Sequence, residues 1–247
     1  MENLKEALQY IARLGVDAEK TEVLDINGKT YANKSLTRYD KMPKADRIKA
    51  STLTSMVDYI YQCNKEFPGS MIIHIVSPTR VFLMSALDKE REREVLFEVN
   101  AETSEFHFDE WYDQERMMIE LQANFQMNDD LGVVLKAVGN IEKKNGQEYS
   151  DDGVSQVATM KTGIAMKGDV IVPNPVELIP YRTFQEVEQP ASKFVFRIGD
   201  KEVPAFKIVE SEGGIWKNEA ISNIKGFIKE SLWTLPDEIK DSITVIG

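Results

Sequence analysis

One cysteine and two histidines are all that this chain of 247 residues offers to thiol or imidazole chemistry. The lone Cys63 excludes an intramolecular disulfide framework and a CxxC site, and it suits a reducing compartment. His74 and His107 are too few for a multi-histidine metal site, and a Ser-His-Asp arrangement would have to use one of them. The P-loop pattern G-x-x-x-x-G-K-[ST], the dinucleotide fingerprint G-x-G-x-x-G, the G-x-S-x-G elbow and H-E-x-x-H are all missing. No apolar run approaches the roughly 20 residues of a membrane-spanning helix. The start, Met1 to Glu6, lacks the basic-then-apolar pattern of a secretory signal. These absences predict a cytoplasmic protein with no catalytic, metal or cofactor residue to name and no membrane contact.

What is present is ordinary globular composition, 42% hydrophobic and 29% charged, in a chain long enough for one large domain or two small ones. The net charge of −11 argues against generic nucleic-acid binding, which needs Lys and Arg in excess. The charge is uneven. Lys29, Lys34, Arg38, Lys41, Lys44, Arg47 and Lys49 form a basic stretch, whereas between Glu98 and Glu120 the only Lys or Arg is Arg116. Such polarity reads either as two solvated surfaces or as a contact with an anionic partner or a second subunit. Lys34, Arg38, Lys41, Lys44, Arg47 and Lys49 are therefore the candidate partner contacts.

Periodicity supplies the elements. Leu4, Leu8 and Ile11 predict a helix over 2–14, closed at Gly15. Asn27-Gly28 predicts a hairpin turn. Ser51 predicts the cap of a helix to about Lys65, whose apolar face places Cys63 toward the core as a structural thiol. MIIHIV (71–76) reads as a central strand, His74 within it as a core histidine, and Thr79–Leu87 and Arg91–Val99 as two more strands. Asp109 predicts the cap of a helix to Phe125, and Asp129–Gly139 a shorter one. Residues 142–153 read as a polar connector. Strands follow over 154–173, Val176–Glu188, Phe194–Ile198 and Pro204–Val209. A long amphipathic helix then carries Trp216 to Leu232, and Ile243–Ile246 reads as a last strand.

The expected class is α+β, mainly antiparallel sheet with several amphipathic helices, because long strand runs and helices follow one another without regular βαβ alternation. The expected organisation is 1–50 as helix, hairpin and basic connector; 51–141 as an α+β subdomain; 142–153 as linker; and 154–247 as a strand-rich subdomain.

Carboxylate pairs at Asp129-Asp130 and Asp151-Asp152 stand where Asp favours turns and helix starts, so capping explains them. His107, among Phe106, Phe108 and several carboxylates, reads as a strand-end histidine. Tyr181-Arg182-Thr183-Phe184 and Phe194-Val195-Phe196-Arg197 come nearest to a stacking platform for single-stranded nucleic acid, but a half-buried sheet gives the same alternation.

The succession STLTSMVDYIYQC, FDEWYDQERMMIEL, VSQVATMKTGIAMKGDVIVPNPVELIP, KFVFRI, AFKIVES and EAISNIKGFIKESL resembles the phage and prophage family typified by YfdQ, from about residue 50 onward. The resemblance implies a phage-encoded accessory protein made in the bacterial cytoplasm, and it carries over no active-site residue.

The leading expectation is a non-enzymatic accessory protein that self-assembles as a homo-oligomer or binds a host or phage protein. Ile243, Val245 and Ile246 are the candidate oligomer contacts, because a lone strand must pair with its own sheet or a neighbour's edge. A second expectation is a factor for phage DNA replication or recombination that touches nucleic acid through 34–49. Inhibition of a host defence protein, sequestration of a signalling nucleotide, and an enzyme built on carboxylates with His107 complete the alternatives.

Overall fold

The computed structural model describes residues 2–27, 29–35, 43–103, 106–141, 148–151, 155–159, 170–199 and 204–247, in two units, Met1–Lys44 and Ala45–Gly247. In the first unit α1 (Glu2–Glu19) precedes a hairpin of β1 (Val23–Ile26) and β2 (Lys29–Ala32). The helix runs through Gly15 rather than ending there. Glycine costs a helix about 1 kcal/mol, and the good helix formers Ala18 and Glu19 follow it. Gly28 of the predicted turn lies outside the described residues. Every side chain described between Asn3 and Lys44 is exposed.

The second unit begins with β3 (Ile48–Ala50), α2 (Leu53–Gln62), β4 (Met71–Ser77), β5 (Arg80–Ser85) and β6 (Val95–Asn100). There follow β7 (Tyr112–Asp113), α3 (Gln114–Asn124), β8 (Phe125–Gln126), α4 (Asp129–Asn140), β9 (Glu148–Asp151), β10 (Ser155–Thr159) and β11 (Val170–Pro173). The chain continues with β12 (Val176–Pro180), β13 (Ser192–Gly199), β14 (Ala205–Glu210), α5 (Trp216–Trp233), α6 (Asp237–Lys240) and β15 (Ile243–Ile246). The fold is α+β. Its sheets run β15-β4-β5-β6-β3, β7-β14-β13-β12-β8 and β11-β10-β9, with parallel pairing at β15–β4 and β3–β6 and antiparallel pairing elsewhere.

Alternation sets the first core. Met71, Ile73 and Ile75 of β4 and Val81 and Leu83 of β5 are buried on one face. Leu53, Met56 and Ile60 of α2, spaced i, i+3, i+7, and Ile224, Ile228 and Leu232 of α5, spaced i, i+4, i+8, belong to the same core. His74 points to the other face and is half-buried, not part of the core. Cys63 packs against this core as a half-buried thiol.

The second core gathers Met117 and Leu121 of α3, Leu131, Val134 and Val138 of α4, and the phenylalanines Phe125, Phe194, Phe196 and Phe206. Phe108 stacks on Phe194 at 5.2 Å. Core membership crosses the 142–153 connector. Helices α3 and α4, before it, share a core with β12–β14, whereas α5 and β15 return to the core built by residues 53–99.

Two predicted caps moved. Thr52, not Ser51, caps α2, its hydroxyl accepting from Ser55 N. Asp113, not Asp109, caps α3 and accepts from Arg116 N at 2.8 Å. Asp109 instead takes φ of 65° and its carboxylate meets Lys207 Nζ at 2.7 Å, which leaves Trp111 outside the helix.

The predicted strand Val176–Glu188 ends at Pro180. Residues 181–191 form a buried loop that ties the two cores together. Phe184 and Val187 enter the first core. Thr183 Oγ1 donates to Pro78 O at 2.5 Å, and Glu186 accepts from Leu53 N and Thr54 N at 2.7 and 2.8 Å. Gln189 Oε1 accepts from the backbone of Arg182 and Thr183. Side chains therefore satisfy the loop backbone in place of a strand partner.

Candidate functional site

The end of the first sheet is built by β15. Ile243 pairs with Met71 and Val245 with Ile73, in parallel register. Met71 N donates to Ser242 O at 2.9 Å. A parallel ladder then turns the N–H and C=O of Thr244 toward β4, and those of Ile243 and Val245 outward. The side chains of Ile243 and Val245 pack against the first core, while Thr244 and Ile246 are exposed. Lys225 Nζ on α5 donates to Gly247 O at 3.0 Å and fixes the strand from its helix side. A side chain at Gly247 would place Cβ 2.6 Å from Ile75 Cβ, so glycine permits this close approach.

Sheet edges invite pairing with other chains unless short strands, charges or proline blunt them. Among the described strands, the other edges carry such features. Lys49 lies in β3, Asp25 in β1, Lys29 in β2, Pro173 in β11, and Glu148 and Asp151 in β9, while β7 and β8 have only two residues each. β15, Ile-Thr-Val-Ile, has neither charge nor proline over four residues. The three predicted oligomer contacts, Ile243, Val245 and Ile246, thus sit on the strand that closes this sheet and leave its outer edge bare.

The predicted basic stretch does not form one described surface. Arg38 and Lys41 lie outside the described residues, and the rest fall on both sides of the unit boundary after Lys44. Lys34 and Lys44 belong to the first unit, and Arg47 and Lys49 to the second. Arg47 is engaged within the chain, its Nε 3.1 Å from Glu98 Oε2. Glu98 is buried in β6, with Arg80 Nε 3.6 Å away and Asn100 Nδ2 donating at 3.1 Å. Ala45 N also donates to Glu94 at 2.6 Å. One end of the basic stretch is thus neutralised by the beginning of the acidic segment in the same chain.

A buried polar cluster surrounds Arg182, which the sequence offered only within a run weighed as a stacking platform. Arg182 is buried, donates to Ser192 Oγ, lies 3.6 Å from Glu210 Oε1, and stacks over the Trp216 ring at 4.0 Å. Burial pushes its guanidinium pKa down to about 10, against the pull of Glu210, Glu212 and Glu219. These contacts fasten the start of α5 to β13 and β14, which is a structural role. The sequence signal was the Tyr-Arg-Thr-Phe run, whose alternation resembles a strand.

Asp130 accepts from Glu177 N at 2.7 Å and Asn128 caps α4, so that acidic pair holds a helix start. His107 is exposed, its backbone N–H and C=O bonded to the Tyr112 hydroxyl. Among the described residues no cluster of three His, Cys, Asp or Glu side chains could hold a metal ion, and no helix is long and apolar enough to cross a membrane. No family model, curated protein or solved structure matches the chain.

Proposed function

We propose that the chain is a non-enzymatic accessory protein of the YfdQ-type phage and prophage family, made in the bacterial cytoplasm, that works by self-assembly. The observation carrying this reading is the bare outer edge of β15. Two copies that juxtapose this edge across a two-fold axis extend the five-stranded sheet into one of ten strands. The outward N–H and C=O of Ile243 and Val245 make the new ladder. The exposed Ile246 side chains lie at the two ends of that ladder.

Light scattering on the full chain tests the reading. Val245→Pro removes an outward donor and leaves the bonds to β4 in place, and Thr244→Lys adds a charge at the edge. Either substitution is expected to halve the mass of the assembly while far-UV circular dichroism stays unchanged. A wild-type chain that is monomeric at micromolar concentration, or a Val245→Pro chain with undiminished mass, overturns it.

A further inference from the structure

Helices α2 and α5 share the first core and end beside one another. Val57, Asp58 and Tyr61 from the last two turns of α2, with Thr234, Leu235 and Pro236 from the turn after α5, line a cleft of about 640 Å³. Its electrostatics have one sign. Each helix turns the negative end of its dipole to the cleft, and neither has a basic residue in its last turn. Asp58 is the one charged residue of α2, and no described residue donates to its carboxylate or pairs with it. The Thr234 hydroxyl gives its hydrogen to Ser231 O at 2.8 Å, which leaves its oxygen as an acceptor. Lys240, the basic residue of α6, does not line the cleft. It is held by Asp237 at 2.7 Å and lies 4.5 Å over the Trp233 ring.

We infer that this cleft binds an arginine side chain of a partner polypeptide. A carboxylate and two helix C-termini attract a cation that the lining itself does not supply. Arginine fits the remaining chemistry. Its fork meets the Asp58 carboxylate through two N–H donors, and its plane stacks on the Tyr61 ring, which is 54% exposed and three residues along the same helix face. Val57, Leu235 and Pro236 supply apolar walls for the methylene stem. Lysine, a point charge, gains neither the paired bonds nor the stacking. The cleft is larger than one guanidinium group and is rimmed by the exposed Asp58, Tyr61, Thr234 and Pro236, so it admits a side chain carried on a backbone.

The contact goes beyond self-assembly and stands whether or not the β15 edge pairs. Methyl NMR on the full chain tests it, reading Val57 and Leu235 while acetyl-Gly-Arg-Gly-amide is titrated. Both residues are expected to show saturable shifts with a millimolar Kd. Asp58→Asn is expected to weaken this binding by about tenfold, and so is replacement of the arginine by neutral citrulline. The lysine tripeptide and methylguanidinium alone each bind more weakly than the arginine tripeptide. Far-UV circular dichroism of Asp58→Asn stays that of the wild type, because the side chain is exposed.

The absence of a saturable shift, or equal binding by Asp58→Asn, overturns the inference. Methylguanidinium that binds as tightly as the tripeptide makes the ligand a free organic cation and overturns the polypeptide partner. Shifts of the same methyls on dilution of the chain alone, persisting in Val245→Pro, place a second copy in the cleft and overturn it too. None of these results bears on the mass of the assembly, so failure here leaves the β15 reading intact.

Discussion

Arg47 and Glu98 form an ion pair at 3.1 Å between the residue preceding β3 and the middle of β6. The carboxylate is 7% exposed and the guanidinium 48%, so solvent screens only one partner. Removing Arg47 leaves a buried charge supported by Arg80 and Asn100. Arg47→Ala is expected to lower unfolding free energy by about 1–2 kcal/mol, a loss softened by the exposure of Arg47. Lys49→Ala stays within about 0.5 kcal/mol. Urea midpoints of the two variants check the difference. Loss of nucleic-acid binding in an Arg47 variant would have to be compared with that loss of stability.

Glu186 holds the start of α2 from a loop far along the chain, accepting from Leu53 N and Thr54 N. Its carboxylate satisfies two donors with no partner inside the helix and sits at the positive end of the helix dipole. Glu186→Ala is expected to cost about 1–2 kcal/mol, and Glu186→Gln less, because the amide oxygen still accepts. Thermal unfolding of the two variants gives the ordering.

Phe184 fills the first core although the strands on either side of its loop, β12 and β13, serve the second. Phe184→Ala is expected to cost about 3–5 kcal/mol by leaving a cavity. Its amide-exchange signature is specific: protection drops in α2 and β4, and also in β12 and β13, because the loop is shared. Loss confined to the first core would show that the loop does not couple the two.

The Tyr59 hydroxyl donates to Glu66 Oε2 at 2.8 Å. Burial first, and then this bond, hold its pKa well above the ordinary 10.0. The native state therefore favours the neutral phenol. This stabilisation is complete below a pH of about 10 and is lost as pH rises above it. Tyr59→Phe is expected to be less stable by about 1 kcal/mol near neutrality and to show a shallower alkaline decline. Some decline persists through Tyr112, whose pKa burial also raises. Urea titrations from neutrality to about pH 11 read both effects.

The elements that periodicity marks strongly are those the structure contains. The MIIHIV strand lies inside its sheet, and the C-terminal helix buries Ala220, Ile224, Ile228 and Leu232. The α+β class follows from these segments. Helix ends were less legible, because Asp109 and Asp113 are equally good caps until Lys207 claims the first. The loop 181–191 was illegible for a related reason: its apolar Phe184 and Val187 leave the second core that the flanking strands serve for the first, and its polar residues meet partners as distant as Pro78 and Leu53. Among the candidate contacts, Ile243, Val245 and Ile246 were readable as a strand without a local mate. The engagement of Arg47 was not, because composition records charge but not the carboxylate that neutralises it.

The pairing of β15 with β4 also bears on the order of folding. The second core draws on one stretch, residues 106–208, whereas the first sheet gains its outer strand only when Ile243 finds Met71 across most of the chain. Contacts so distant in sequence form slowly. During that interval β4, a seven-residue strand that buries Met71, Ile73 and Ile75, has an unpaired flank. The waiting flank can also capture β15 from another copy, so the route to the folded chain and the route to a strand-exchanged aggregate diverge at this step.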